Sequence, residues 1–166
     1  MTAQWVLLAR TTVGTATTAV AFTSIGSYES YRVIGYTGDN AGSDYLSFYP
    51  NNSNSNLSGR GFYANASSGN VAAHSHSRLH MGINANNNST DLDTGCSIAD
   101  ISFAQSTTII KPLVSFGGWA GNMLRLGAGA WNVTGTALSS IYIKVGADGT
   151  SNFKPNTVIA LYGRNV

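Results

Sequence analysis

Charge is what this sequence has least of. Nine Lys or Arg and seven Asp or Glu make up 10% of its 166 residues, against roughly a quarter in an ordinary soluble domain. The hydrophobic share, 43%, is ordinary, so the chain is not a disordered polar tract. Ser, Thr, Asn and Gly fill the gap, and these suit turns, strand faces and surfaces that lie against other protein. Ions are depleted at interface centres because desolvating an unpaired charge is costly. The nine basic residues are scattered and the net charge is only +2, which excludes a nucleic-acid footprint.

Cysteine is nearly absent too. Cys96 stands alone, so no internal disulfide can form, and its expected role is a small buried hydrophobe. Long apolar runs are missing: MTAQWVLLAR holds a run of five with no basic segment before it. It fits neither a signal peptide nor a membrane span, and the expectation is a protein made in a cytoplasm, with no membrane partner. No stretch carries a helical 3.6 period.

Alternation is what the chain does have. Between residues 11 and 38, Val20 and Phe22, then Tyr31 and Val33, alternate with small or polar neighbours across a turn at Gly26 and Ser27. That pattern predicts neighbouring antiparallel strands with one buried face. Further strands are expected over residues 4–10, 16–24, 29–37, 45–49, 60–65, 79–83 and 97–104, the last with Ile101 and Phe103 inward. Others follow over 109–116, 123–126, 141–145 and 157–163, the last apolar enough on both faces for a central or interface position. Pro50 ends one strand, and Pro112 points to an edge position or a bulge. Residues 51–59, 66–70 and 84–95 read as polar loops. About ten short strands with Gly, Asn and Ser turns predict a single all-β domain over residues 1–166. The predicted architecture is a two-sheet antiparallel sandwich, jelly-roll-like, with no strand order legible.

Candidate chemistry is sparse. His74, His76 and His80 form H-x-H-x3-H, and on one strand all three would share a face, as a transition-metal site requires. The competing reading is a solvent-facing strand backed by Leu79, Met81 and Ile83; no metal site is expected. Asp91, Asp93 and Gly95 resemble a calcium loop but lack the bidentate Glu, and a plain Asx turn explains them. Gly117, Gly118, Gly127 and Gly129 precede no helix and no phosphate-binding Lys. They mark bulges or places where backbone approaches backbone. Glu29, Asp39, Asp44, Asp91, Asp93, Asp100 and Asp148 form no set fit for general acid–base work, so neither an enzyme nor a cofactor is expected. Trp5, Trp119, Trp131 and eight tyrosines remain as material for a sugar platform or a protein interface, with Trp119 and Trp131 the candidate surface residues.

The strings L-L-A-R-T-T-V-G-T-A-T, V-A-F-T-S-I and Y-x-S-Y-R-V-x-G-Y-T, with the closing V-I-A-L-Y-G, resemble small virion structural proteins of tailed bacteriophages. The counterparts are residues 12–25, 28–36 and 158–163, and Gly26 stands where that phrase usually has proline. The resemblance implies a non-enzymatic virion protein and carries no catalytic residue with it. The expectation is a capsid decoration or cement protein, a homotrimer bound to the outer surface of the major capsid protein and stabilising the shell. A rival expectation is a carbohydrate-binding tip of a tail fibre or spike that recognises cell-surface glycan. A neck or tail-knob component is the third.

Overall fold

A computed structural model of the chain describes residues 4–37, 45–65, 70–76, 79–83, 95–119, 123–146 and 151–165. Among them are twelve strands and no helix: β1 (Val6–Thr12), β2 (Ala19–Thr23), β3 (Ser30–Thr37), β4 (Tyr45–Pro50), β5 (Leu57–Asn65) and β6 (Asn70–His76) in the first half. The second half supplies β7 (Leu79–Ile83), β8 (Gly95–Ile101), β9 (Lys111–Trp119), β10 (Met123–Trp131), β11 (Ser140–Val145) and β12 (Val158–Arg164). An eight-stranded sheet runs β1-β12-β3-β8-β9-β10-β5-β6, and a four-stranded sheet runs β2-β11-β4-β7. Every pairing is antiparallel.

The order follows a nested rule. Strand β1 pairs with β12, β2 with β11, β3 with β8 and β4 with β7. Such a set is a long ribbon of antiparallel pairs whose successive pairs alternate between two sheets, which is the jelly roll. The two remaining hairpins, β5–β6 and β9–β10, are inserted within it. Both join the larger sheet beyond β8, with β5 paired to β10.

Alternation drives the wrap. In β11, Ile141, Ile143 and Val145 are fully buried while Tyr142 and Lys144 are half-buried. Burying each such side chain contributes about 1.5–3 kcal/mol before entropy is charged against it. Val20, Phe22, Leu46, Phe48, Leu79 and Met81 of the small sheet meet Tyr31, Val33, Ile101, Ile159 and Leu161 of the large one in a single core. The Tyr31 hydroxyl donates to the Gly26 carbonyl (2.8 Å) and accepts from the Tyr28 amide, which fixes the turn entering β3. Burial pushes its pKa up.

Several sequence expectations need correction. Residues 57–59 are not loop: Leu57 is buried and opens β5, which runs to Asn65. Strand β6 was not foreseen, and β10 continues to Trp131 through Gly127 and Gly129 rather than stopping at Leu126. Phe103 is not inward. Strand β8 ends at Ile101, and Phe103 turns outward at φ 54° with about half its surface exposed. Pro112 marks neither an edge nor a bulge, since β9 is interior and its register with both neighbours is unbroken. The Pro112 carbonyl accepts from the Ser102 amide beyond the end of β8, so the missing N–H faces the side where ladder pairing has already stopped. The acidic loop positions Asp91 and Asp93 lie outside the described residues.

Candidate functional site: an apolar sheet face

The extension β8-β9-β10-β5 buries Leu57, Ile101, Leu113 and Trp131, yet it also turns five large apolar side chains outward. Its inner face packs against β7, and there β9 presents Lys111, Leu113, Ser115 and Gly117, while β10 presents Arg125, Gly127, Gly129 and Trp131. The outer face carries Val114 and Phe116 from β9, Leu124 and Leu126 from β10 and Phe62 from β5. Their exposures run from 42% to 57%, so all five are available for contact.

Close approach explains the inversion. A Cβ at Gly129 would meet Leu79 Cδ2 at 2.6 Å and the Ser58 carbonyl nearer still; one at Gly127 would meet Ser115 Oγ at 2.5 Å. Strand β7 can therefore lie on this part of the sheet only if the inner positions stay small. Backbone approach, not a bulge, is what these glycines serve. Ser115 Oγ completes the seam by donating to the His80 carbonyl at 2.6 Å. A water-sized void of about 10 Å³ remains among Gly59, Gly61, Leu79, Arg125 and Gly127.

Register orders the outer face into rows. Ile98, Phe116, Leu126 and Phe62 stand side by side on β8, β9, β10 and β5. One pleat away, Asp100, Val114, Ala128 and Arg60 form a second row, and on the other side Cys96, Gly118, Leu124 and Ala64 form a third. A shallow depression of about 310 Å³ lies over Ile98, Asp100, Val114 and Phe116. Burial pushes the Cys96 thiol up from its ordinary pKa.

Charge sits only at the margins of this face. Arg32 grips Asp100 through two hydrogen bonds of 2.7 Å, and that partner raises the Arg32 pKa. Arg32 and Arg164 both lie over the Trp5 ring, at 4.6 and 4.8 Å from its centroid, which fastens the N-terminal residues to β3 and β12. Lys111 is fully buried; its Nζ donates to the Val133 carbonyl at 3.0 Å and sits 5.1 Å from the Trp131 ring. Desolvation lowers its pKa.

The sequence candidates fare unevenly. His74 and His76 lie on β6 in the large sheet, whereas His80 lies on β7 in the small one. The three do not share a strand, so the geometry imagined for a metal on one strand face is not formed. Among the described residues no three ligating side chains cluster. Trp131 is not a surface residue: only 2% of it is exposed, and it is walled by Lys111 in the core. Trp119 occupies the last position of β9, and its side chain lies outside the described residues. The five outer-face residues were missed because alternation alone assigns large apolar side chains to the inside. The available signal was the chemistry of the opposite positions: Lys, Ser, Gly and Arg alternating with Val, Phe and Leu.

Comparison with protein-family models, with curated proteins and with solved structures found no match.

Proposed function

We propose that this chain is a non-enzymatic structural subunit, held in a larger protein assembly by the outer face of β8-β9-β10-β5. The observation that carries the reading is the inside-out arrangement of the extension. Apolar side chains exposed singly are ordinary, but contiguous rows of them mark interaction surfaces. Here Ile98, Phe116, Leu126 and Phe62 form one unbroken row across four strands. Scarce charge supports the same reading, because few ions need be stripped of water when the face is covered.

Placement in a virion rests on the sequence resemblance. The matching strings fall on β1, β2, β3 and β12, four strands of the nested jelly roll, and leave the inserted hairpins out. Within that setting the chain is a decoration protein laid on a shell, and repetition of a modest contact around the shell supplies lasting attachment. The carbohydrate-binding reading loses one of its two candidate aromatics with the burial of Trp131.

Particle fractionation tests the proposal. The wild-type protein should co-sediment with virions of its source at a fixed ratio to the major shell protein, and Leu126→Asp should be found only in the soluble fraction. A wild-type chain absent from every particle would end the virion placement. A Leu126→Asp chain that folds and incorporates normally would end the assignment of this face.

A further inference from the structure

We infer that the occupant of the outer face is a second copy of this chain, packed face to face about a twofold axis running along the strands between β9 and β10. The inference rests on the assembly reading above and names the partner: two copies joined by this face enter the assembly as one unit, and contact with the shell falls to their other surfaces. Its ground is the register. A twofold axis in that position lays β5 of one copy over β8 of the other and β10 over β9, and keeps each row opposite itself.

Taken row by row, the face is complementary to itself. In the second row Asp100 of one copy comes opposite Arg60 of the other, and the symmetry repeats the pair at the far side. Both residues carry the correct sign, and the Asp100 carboxylate has acceptor capacity beyond the two hydrogen bonds from Arg32. Between the two charge pairs, Val114 meets Ala128, a larger side chain against a smaller one. In the central row Phe116 meets Leu126, and Ile98 meets Phe62. In the third row Leu124 comes over Gly118, and Cys96 over Ala64, again large on small. Large side chains opposite small ones let two sheet faces interdigitate at the roughly 10 Å spacing of packed sheets. An axis across the strands would instead set Leu124 against Val114 or Ala128 and lose the Asp100–Arg60 pairing.

The area is adequate. Five half-exposed side chains, at roughly 150–200 Å² each when free, offer on the order of 450 Å² of apolar surface per copy. The flanking Ile98, Ala64, Ala128, Asp100 and Arg60 extend it toward the roughly 800 Å² per partner of a standard interface. The expected homotrimer would need a heterologous contact, whereas only a twofold makes the same patch its own partner.

Light scattering over a concentration series, with site-directed cross-linking, tests the inference. The wild-type chain should be a dimer. Leu126→Asp should keep its β circular dichroism and thermal transition yet weaken association at least about a hundredfold, as expected for a charge placed in a desolvated centre. Ala64→Cys, treated with a short bis-maleimide, should give an intermolecular link from Cys96 to residue 64. Within one copy these positions are three strand spacings apart, about 14 Å, which keeps an internal link out of reach. A monomeric wild type whose particle binding is lost in Leu126→Asp would overturn the twofold and leave the assembly reading standing. So would a trimer, or a dimer without the Cys96–residue 64 link. A folded Leu126→Asp chain with unchanged self-association and unchanged particle binding would overturn both.

Discussion

The hydroxyl of Ser115 donates to the main-chain carbonyl of His80 at 2.6 Å, binding β9 of the large sheet to β7 of the small one. The bond lies beside Gly127. Ser115→Ala removes a hydrogen bond to the part-buried His80 carbonyl and should cost about 0.5–1.5 kcal/mol. Gly127→Ala drives a methyl to within 2.5 Å of Ser115 Oγ and should cost about 1–3 kcal/mol by overpacking. Because both act on one contact, the pair should be non-additive: Gly127→Ala should be milder on a Ser115→Gly background, where the obstructing hydroxyl is gone. Urea unfolding of wild type, Ser115→Gly, Gly127→Ala and the double variant measures the coupling, and strict additivity would place the strain elsewhere.

Lys111 gives the fold a pH dependence of known sign. Its pKa is lowered in the folded chain, because burial disfavours the ammonium. Between that lowered value and the 10.5 of the unfolded chain, the unfolded state binds more protons, so stability rises with pH. The full penalty is present below the folded pKa and is relieved as the pH climbs toward 10.5. Lys111→Met removes the titration, so wild type should gain on the variant as pH rises from 7 to 10. Taking the difference between the two chains cancels the slopes due to tyrosines and Cys96. A difference that stays flat, or moves toward the variant, would mean the ammonium is well solvated.

Cys96 reports on coverage of the outer face. Burial raises its pKa, so the reactive thiolate is scarce at neutral pH. Labelling by a maleimide should accelerate with pH without levelling off by pH 9. It should also slow as wild-type concentration rises and copies cover the third row, whereas Leu126→Asp should label at one rate across the series. Equal concentration dependence in both chains would separate Cys96 from the covered surface.

Legibility in the sequence followed the physics of burial. Strands β2, β3, β4, β7 and β11 alternate large core side chains with smaller or more polar ones, and alternation located each within three residues at either end. The nested order could not be read, since pairing β1 with β12 depends on contacts across nearly the whole chain. Strand β6 was missed because NVAAHSH contains a single β-branched residue, and β10 was cut short because glycine reads as a breaker when alone. In context Gly127 and Gly129 are the reason β7 can pack there. The same packing constraint hid the candidate face: small and polar residues inside imply large apolar ones outside, an inference available only once β7 is known to cover that layer.

Asn51 holds the turn after β4 through both ends of its amide. Oδ1 accepts from the Ser139 and Ser140 amides at 2.8 and 3.0 Å, and Nδ2 donates to the Ala137 carbonyl at 3.0 Å. Its backbone is left-handed, at φ 49°, a conformation Asn tolerates better than most residues. These contacts join β4 to the segment entering β11 and so set the rim of the small sheet. Asn51→Ala removes these bonds and a fourth from Ser139 Oγ at 3.2 Å, and leaves a Cβ without compensation in a disfavoured region, for an expected loss of about 2–4 kcal/mol. Asn51→Gly loses the same bonds and keeps the backbone at ease, so it should be less damaging by about 1 kcal/mol. Asn51→Asp retains an acceptor for both amides and forfeits only the donor to Ala137, and should be the mildest. Thermal melts that ranked Gly below Ala would show that backbone strain contributes nothing here. Melts that ranked Asp with Ala would show that the Ala137 bond, not the paired amides, secures the turn.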